Sequence, residues 1–489
     1  MVIVFCNQSN SEATKFLFNV ASLVNVLAMT VAVSPSRPKG WFLLGNMPDF
    51  RRDPLAFLER CARDHGDFVP LRFVNRRVCL LNAPEQIEYV LATNHRNFRK
   101  TLGYRTPFMR RLFGEGLLTS EGDFWMRQRR LAQPAFHRER IATYANVIVE
   151  FAERMLAAWK PDETREIHRD MMRLTTEVVV KTLFNSTVPR AVEEISDTTA
   201  VLEQFTTQWS VWRFLSSYLP TPNARRFEHV MRRLDEFIYG LIAERRASGK
   251  DAGDLLSMLL LAQDEEGNGM SDRQVRDELT TFMVAGLDTT ALALSWAFYL
   301  LSKNPPADDE LAVELDSVLG GRAPRFADLP QLRYTENVVK EAMRLFPPAW
   351  LVGREAINDC EIGGHRIAAG TSLIISQWLK HRDPRYFENP ESFRPERWSD
   401  EFVKQLPKYA YFPFGGGPRT CIGNSFAMME ATLVLATVRQ KFRLTSQPGY
   451  TVTPWPTITL QPKEGIFLKV ESREAKPRQP KSDVGKCVM

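Results

Sequence analysis

The most informative segment of the sequence reads Phe414-Gly415-Gly416-Gly417-Pro418-Arg419-Thr420-Cys421-Ile422-Gly423. A glycine-rich stretch leads into a single cysteine, and a helical pattern follows over residues 424–438. The dipole and free N–H groups of a helix N-terminus lower a thiol pKa and stabilise a thiolate. The glycines let the backbone lie close against a flat partner, and Arg419 can reach an anionic group on that partner. The segment therefore predicts a thiolate presented to a ligand.

Three interpretations of Cys421 are open at this point. A lone thiolate with open space opposite suits the axial position of a haem iron, where a thiolate favours O–O cleavage. A buried structural cysteine is the common role of a single cysteine. A cysteine nucleophile needs a histidine base, and no histidine stands out in the sequence as its partner. Haem ligation is the interpretation that we favour.

The segment matches the Phe-x-x-Gly-x-Arg-x-Cys-x-Gly signature, so the chain resembles the cytochrome P450 family over roughly residues 41–470. The resemblance implies a mainly α fold with small β-sheets (α+β) and a long central helix that crosses over the haem. It implies haem b (iron protoporphyrin IX) as cofactor, with Cys421 as the metal ligand and Phe414 and Gly423 as cofactor contacts. The implied activity is a monooxygenase that inserts one atom of O2 into a lipophilic substrate.

Glu341 and Arg344 stand three residues apart, so they share one face of a helix and can pair. Taken alone, such a pair is usually a surface ion pair of little energetic value. In the family, this Glu and Arg join an Arg from a Pro-Glu-Arg loop in a buried triad. The resemblance therefore implies a structural triad of Glu341, Arg344 and Arg397, bracing the loop that presents Cys421. Trp398 stands where Phe is commoner.

Four residues resemble the set that binds haem in the family. Trp125 and Arg129 lie four residues apart and face the same way on a helix. Arg354 follows the turn Pro347-Pro348, and Arg419 lies two residues before the cysteine. Arginine suits a two-pronged hold on a carboxylate, so the resemblance implies that these residues bind the haem propionates. Without it, each arginine would more often be a surface residue.

A long helix is predicted from an N-cap at Ser271 to about Lys303, where Asn304-Pro305-Pro306 stops it. It carries Ala285-Gly286-Leu287-Asp288-Thr289-Thr290, which would open locally at Gly286 into a groove for O2 and water. In the family this motif is an acid–alcohol pair. The resemblance implies that Thr289 orients protons toward bound O2 and that Asp288 connects Thr289 to solvent. Short β-like runs are predicted at 68–73, 78–81, 366–367, 372–376, 458–460 and 466–470.

Two other functions compete with monooxygenation. A peroxygenase would use hydrogen peroxide without an electron donor, but such enzymes tend to replace the pair formed here by Asp288 and Thr289. A non-catalytic haem-binding protein would not need that pair or an apolar pocket. The predicted pocket segments are residues 104–118, 205–218, Phe282 with Ala285, 349–352 and 455–458. They are largely apolar, so the substrate is predicted to be lipophilic: a fatty acid, terpenoid or steroid-like molecule.

Charge and cysteine content narrow the class of protein. The 64 basic and 58 acidic residues give a net charge of +6 without a long basic run, which argues against nucleic acid as a partner. The six cysteines are widely spaced, so they form neither a disulfide framework nor a zinc pattern. They fit a reducing compartment, and we expect a cytoplasmic protein.

Three regions are predicted along the chain. Residues 1–40 form a leader with a Pro-bearing hinge, residues 41–473 the catalytic domain, and residues 474–489 a charged flexible tail. Residues 16–33 are mostly apolar and near the lower length limit of a membrane span. A span, a membrane-surface helix and a disordered leader are the open alternatives. Either membrane form would place the protein on the cytoplasmic side.

Electrons must come from another protein if the resemblance holds. Sixty-eight residues follow Cys421, too few for a flavin or nicotinamide domain. The predicted donor is a ferredoxin with its reductase, or a flavoprotein reductase. Arg127 and Arg130, with the cysteine loop, are predicted to dock an acidic partner.

Overall fold

The architecture is mainly helical, as the α+β expectation requires. A computed structural model of the protein describes residues 36–185 and 222–473. Its α-helices are α1 Met47–Arg52, α2 Pro54–His65, α3 Pro84–Glu88, α4 Pro107–Phe113, α5 Gly122–Ala132, α6 Arg138–Ala157, α7 Ile167–Phe184, α8 Pro222–Ser248, α9 Leu255–Leu261, α10 Asp272–Lys303, α11 Pro305–Leu319, α12 Arg333–Leu345, α13 Gln377–Lys380, α14 Asp400–Gln405 and α15 Asn424–Lys441. A π-helical turn spans Tyr89–Thr93, and short 3-10 turns include Pro395–Arg397 and Gly417–Arg419.

The strands are short and form small sheets. They are β1 Phe68–Phe73, β2 Arg76–Leu81, β3 Phe98–Lys100, β4 Thr164–Glu166, β5 Val352–Ala356, β6 Cys360–Ile362, β7 His365–Ile367, β8 Ser372–Ile375, β9 Phe442–Thr445, β10 Pro454–Pro456, β11 Leu460–Pro462 and β12 Phe467–Ser472. The largest sheet has the order β1-β2-β8-β5-β3, with β2 and β8 parallel and the other neighbours antiparallel. A second sheet has the order β4-β12-β9, and β6–β7 and β10–β11 are hairpins.

Most predicted strands are confirmed, with shifted ends. The first prediction matches β1, and the others agree with β2, β7, β8 and β12 to within two residues at each end. The predicted strand 458–460 is displaced by two residues at each end from β11. Ile458 lies in the turn between β10 and β11, where it is exposed, and only Leu460 enters a strand.

The central helix α10 begins where the sequence predicts. The Ser271 hydroxyl accepts from the backbone N–H of Gln274, and the Gln274 side chain accepts from the N–H of Ser271, a complete capping box. At 1.5 Å per residue, its 32 residues span about 48 Å. It packs against α7, α12 and α15 through the largest apolar cluster. Among the described residues, it alone is long and apolar enough to cross a membrane, but its apolar part is mostly buried inside the protein.

Helix α15 places the cysteine loop against this core. It runs three residues beyond the predicted 424–438 and is buried from Met429 to Arg439 between α6, α12 and α10. Since α15 starts three residues after Cys421, the loop is fixed at the end of a buried helix.

Candidate functional site

The cysteine loop is a closed turn. The N–H of Cys421 donates to the carbonyl of Phe414 at 2.9 Å, so the residues between them form a tight loop closed by this hydrogen bond. Gly417 has φ +66°, and a Cβ there would lie 1.9 Å from the carbonyl oxygen of Leu91. A Cβ at Gly416 would strike the ring of Tyr409. These two glycines are therefore required by the protein's own packing, in addition to any close approach to a ligand.

The environment of the Cys421 thiol corrects one expectation. Burial raises the thiol pKa, while the N–H of Gly423 and the positive charge of Arg129 lower it. The loss of hydration among the surrounding residues outweighs these two contributions, and α15 starts only at Asn424, so its N-terminal N–H groups do not reverse the shift. The expectation of a lowered pKa from the helix N-terminus alone was therefore wrong. The side chain nevertheless keeps exposed surface, so the sulfur can be approached.

The structure brings Glu341, Arg344 and Arg397 together. Glu341 accepts from Arg344 Nη2 at 2.8 Å and Nε at 2.9 Å, and from Arg397 Nε at 2.9 Å. Glu341 and Arg344 are fully buried and Arg397 nearly so. The two guanidinium groups also donate to carbonyl oxygens of the loop before Arg397, those of His381, Glu388, Pro390 and Ser392. The alternative of a surface ion pair is wrong, and the charges tie α12 to that loop.

Trp398 extends this network toward the cysteine loop. Its indole N–H donates to Glu341 Oε2 at 2.9 Å, a bond that Phe could not make. Its ring packs on Tyr411 with the centroids 4.4 Å apart. Tyr411 in turn donates its hydroxyl to the carbonyl of Lys340 and lies three residues before Phe414. The sequence shows only that Trp398 stands where Phe is commoner and gives no sign of this hydrogen bond.

The predicted haem-binding residues Trp125, Arg354 and Arg419 meet around Glu121. Arg419 lies over the ring of Trp125, 4.9 Å from its centroid, and pairs with the carboxylate of Glu121. Arg354 is half-buried and lies close enough to feel the charges of Glu121 and Arg419, and loss of hydration lowers its pKa to about 10. Arg129 stands apart from this group, donating to Gln133 Oε1 at 3.2 Å with its charge acting on Cys421.

Lys100 and Glu121 belong to this cluster and were missed from the sequence. Lys100 Nζ donates to the carbonyls of Leu117 and Ser120 at 2.8 Å, and Glu121 accepts from the N–H of Lys100 at 2.7 Å. Burial, with Arg419 and Arg354 nearby, lowers the pKa of Lys100 to about 7. In the sequence, Lys100 precedes a turn and Glu121 precedes a helix, and neither position indicates that the two residues contact each other.

The acid–alcohol pair lies on an unbroken helix. The Thr289 hydroxyl donates to the carbonyl of Ala285 at 2.9 Å, and Asp288 Oδ1 accepts from Gln461 Nε2 at 2.9 Å. The expectation of a local opening at Gly286 was wrong, since α10 is continuous. A Cβ at Gly286 would lie 3.2 Å from Val179, so this glycine permits the close packing of α7 on α10. Ala285 is nonetheless exposed, so this face of α10 borders open space.

The comparisons with known proteins settle the family. A family profile described as cytochrome P450 matches residues 35–470. Cyclooctatin synthase of Streptomyces melanosporofaciens is 41% identical, covering 86% of this chain and 92% of its own. The chain belongs to the cytochrome P450 family. Cyclooctat-9-en-7-ol 5-monooxygenase of the same organism is 37% identical (84% and 89% covered), and pentalenene oxygenase of Streptomyces avermitilis is 32% identical (90% and 98% covered). This P450 is therefore a monooxygenase.

A P450 carries haem, and the residues present fit one. Arg419 Nη1 is buried without a hydrogen-bond partner, although Nη2 of the same guanidinium pairs with the carboxylate of Glu121. The positive charges of Lys100, Arg354 and Arg419 repel one another, while the carboxylate of Glu121 pairs with Arg419 and attracts the other two at longer range. A partner with two carboxylates would relieve that repulsion and satisfy the orphaned N–H. The site is thus suited to haem propionates, close to an approachable thiol.

Two predicted surfaces look different in the structure. Arg127 pairs with Asp264 at 2.7 Å and donates to the carbonyls of Asn268 and Gly269, so its charge is partly neutralised. Arg130 is exposed.

Of the predicted pocket segments, 205–218 with Trp209, Trp212, Phe214 and Leu215 lies outside the described residues. Trp350 is buried in an apolar cluster with Val78 and Trp378, so it is a core residue.

Proposed function

We propose that this P450 binds haem b and oxidises a cyclic terpenoid. The observation that carries the proposal is the approachable Cys421 thiol beside a cation cluster with an unsatisfied Arg419 N–H. The terpenoid class is supported by the relatives, whose names include cyclooctat-9-en-7-ol and pentalenene. Ala285, exposed on the face of α10 near Thr289, supplies apolar surface for such a substrate, while Phe282, one turn earlier, is buried in the core. Fatty acids and steroids are the classes that the test below must exclude.

The chain's own residues divide the binding work. Cys421 would ligate the iron, with Phe414 and Gly423 in contact with the cofactor. Arg354, Arg419 and Trp125 would hold the propionates, and Lys100 would complete the positive charge. Arg129, one turn after Trp125 on α5, would bind one of the propionates, and its positive charge also stabilises the thiolate of Cys421. When bound, the haem would supply the activation of O2, and the transferred oxygen atom would come from that O2.

Proton supply falls to Thr289 and Asp288. The Thr289 hydroxyl is held by the Ala285 carbonyl, which fixes its oxygen on the helix face that borders the open space. Asp288 lies one residue earlier and can exchange protons between Thr289 and solvent. Intact acid and alcohol support an O2-driven monooxygenase over a peroxygenase.

Separate proteins would complete the system. Electrons would come from a ferredoxin with its reductase or from a flavoprotein reductase. We place the donor on the face that carries Arg130 and the cysteine loop. The proposed catalytic domain is residues 41–473, in the cytoplasm. The leader 1–40 and the tail 474–489 lie almost wholly outside the described residues, so membrane association through 16–33 stays a prediction.

The test is a substrate screen on the haem-loaded enzyme. Cyclic di- and sesquiterpenes, a long-chain fatty acid and a steroid are titrated, and the haem absorption spectrum is followed. We expect a low- to high-spin shift with a cyclic terpene, followed by a product that gains one oxygen atom from labelled O2. Binding and oxidation of the fatty acid or steroid alone would overturn the substrate proposal.

A further inference from the structure

A glutamine of the β10–β11 hairpin holds the acid of the acid–alcohol pair. Gln461 Nε2 donates to Asp288 Oδ1 and to Thr459 Oγ1, both at 2.9 Å. A carboxylate can only accept, so the nitrogen of the Gln461 amide is the atom that faces Asp288. The two N–H groups of this amide are thus divided between Asp288 and Thr459. Asp288 thereby gains a hydrogen-bond donor from a residue 173 positions away in the chain.

The strand that carries Gln461 is fixed to the core. Leu460, the residue before it in β11, is fully buried. Its N–H donates to the carbonyl of Pro348 at 3.0 Å, and its carbonyl accepts from the indole N–H of Trp296 at 3.1 Å. Trp296 lies on α10, about two turns after Asp288. Gln461 therefore meets Asp288 from a position that the backbone of β11 and the central helix define together.

The two oxygens of the Asp288 carboxylate have different surroundings. Oδ1 accepts from Gln461, whereas Oδ2 accepts no hydrogen bond from any group in the part of the chain that the structure describes. Asp288 is only half-buried, so solvent reaches its side chain. A proton taken up by this carboxyl is therefore expected at Oδ2, because Oδ1 is already engaged by an N–H donor.

Thr289 is held separately from Asp288. Its hydroxyl donates to the carbonyl of Ala285 at 2.9 Å, on its own helix. Asp288 and Thr289 share no side-chain hydrogen bond in the described structure, since each is bonded elsewhere. Consecutive residues of a helix point in different directions, so neither residue fixes the side chain of the other. What Asp288 delivers to Thr289 thus depends on where a third residue holds its carboxyl.

We propose that Gln461 is a positioning residue for Asp288 in the supply of protons to Thr289. The amide keeps Oδ1 engaged and leaves Oδ2 as the oxygen that takes a proton from solvent and gives it up again. Without the amide, the carboxyl rotates between rotamers and presents neither oxygen at a fixed place. The same hairpin carries the predicted pocket segment 455–458. The inference rests on the proposed proton supply through Asp288 and Thr289.

The first arm of the test measures turnover in the holoenzyme with the cyclic terpene found in the screen. Q461L removes both N–H donors at similar side-chain size. We expect turnover to fall on the order of tenfold and its solvent isotope effect in D2O to rise, because proton transfer then limits the rate more strongly. Substrate affinity, measured by the spin shift, should stay that of wild type. Q405L, at an exposed glutamine of α14, should match the wild type in all three measurements.

A double variant separates positioning from a packing role of Gln461. D288N keeps the shape of the side chain but cannot carry the proton. If Gln461 acts through Asp288, adding Q461L to D288N should change neither turnover nor the isotope effect further. Penalties that add in the double variant, or wild-type turnover in Q461L, would overturn the proposal.

The second arm needs no turnover. The side-chain amide protons of Gln461 are observed by NMR in glutamine-labelled holoenzyme in its diamagnetic ferrous carbonyl form, assigned with Q461L. D288A removes one acceptor and T459A the other, so each should move the signal of a different amide proton. Signals that stay unmoved in D288A would also overturn the proposal. Shifts in D288A without any oxidised product from the wild-type enzyme would instead count against the proposed function.

Discussion

Glu341 Oε1 and Arg397 Nε lie 2.9 Å apart, although 56 residues separate them in the chain. With Arg344 also paired to Glu341, one buried carboxylate holds two cations that themselves bind the loop leading to Trp398. The buried ion pairs thus fix the segment that leads to Trp398. The contact of Trp398 with Tyr411 links this segment to the loop that presents Cys421.

Loss of Glu341 should prevent stable haem loading. E341A leaves two buried guanidinium groups uncompensated, at a cost on the order of 3–5 kcal/mol. We expect mostly haem-free or aggregated protein, measured as haem per polypeptide and thermal unfolding. E336A is the matched control, since Glu336 lies on the same helix in a half-exposed pair with Lys340 and should load normally. Normal haem content in E341A would contradict a bracing role.

Glu430 should make the stability of the protein depend on pH. This carboxyl of α15 is buried beside Thr290 with Oε1 unsatisfied, and burial raises its pKa to about 8. The folded state therefore holds a proton that the unfolded state releases above its ordinary 4.5. As pH rises from the unfolded-state pKa toward the folded-state pKa, the free energy of unfolding falls by up to about 1.4 kcal/mol per pH unit.

E430Q removes this titration. The free energy of unfolding of E430Q should therefore rise relative to that of wild type as pH rises from 5 to 8. Replacing a salt-bridged carboxylate would have the opposite effect. Thermal unfolding at several pH values measures it. E401Q, at an exposed glutamate of α14, should follow the wild type throughout. A constant difference between E430Q and wild type across pH would show that Glu430 is ionised in the folded protein.

Local signals made much of the fold predictable, whereas distant pairings stayed hidden. The capping box at Ser271 and the spacing of Glu341 and Arg344 act over one helical turn, so sequence shows them. The bond from Gln461 to Asp288 joins residues 173 apart, and that from Arg127 to Asp264 joins residues 137 apart. The desolvation of the Cys421 thiol likewise depends on elements far along the chain, which is why its pKa was predicted in the wrong direction.

Thr289 should control the fate of the oxygen. T289A keeps haem, thiolate ligation and substrate binding, but protons are then supplied at the wrong place. We expect reduced cofactor to be consumed with more hydrogen peroxide and less product per electron pair. T280A is the control, because Thr280 makes the same bond to the carbonyl four residues earlier, about 14 Å along the helix. Wild-type coupling and rate in T289A would rule out this role.

Electron transfer should depend on salt. If an acidic donor docks on the face with Arg130, the rate of electron transfer should fall as ionic strength rises, because exposed charges are screened. R130E should slow the rate and flatten its salt dependence, while R226E, exposed on α8, should not. Arg127 should contribute less than Arg130, since Asp264 already pairs with it. A rate independent of salt would indicate an apolar docking mode.

The assignment of Cys421 as the iron ligand is tested by the absorption spectrum of the reduced carbonyl complex, recorded for wild type, C421S and C360S. Cys360 is a partly exposed thiol in β6 and serves as the matched control. Ligation of the iron by Cys421 predicts the red-shifted Soret band of a thiolate ligand in wild type and C360S, and its loss in C421S. Persistence of that band in C421S would show that another residue ligates the iron and would contradict the central assignment.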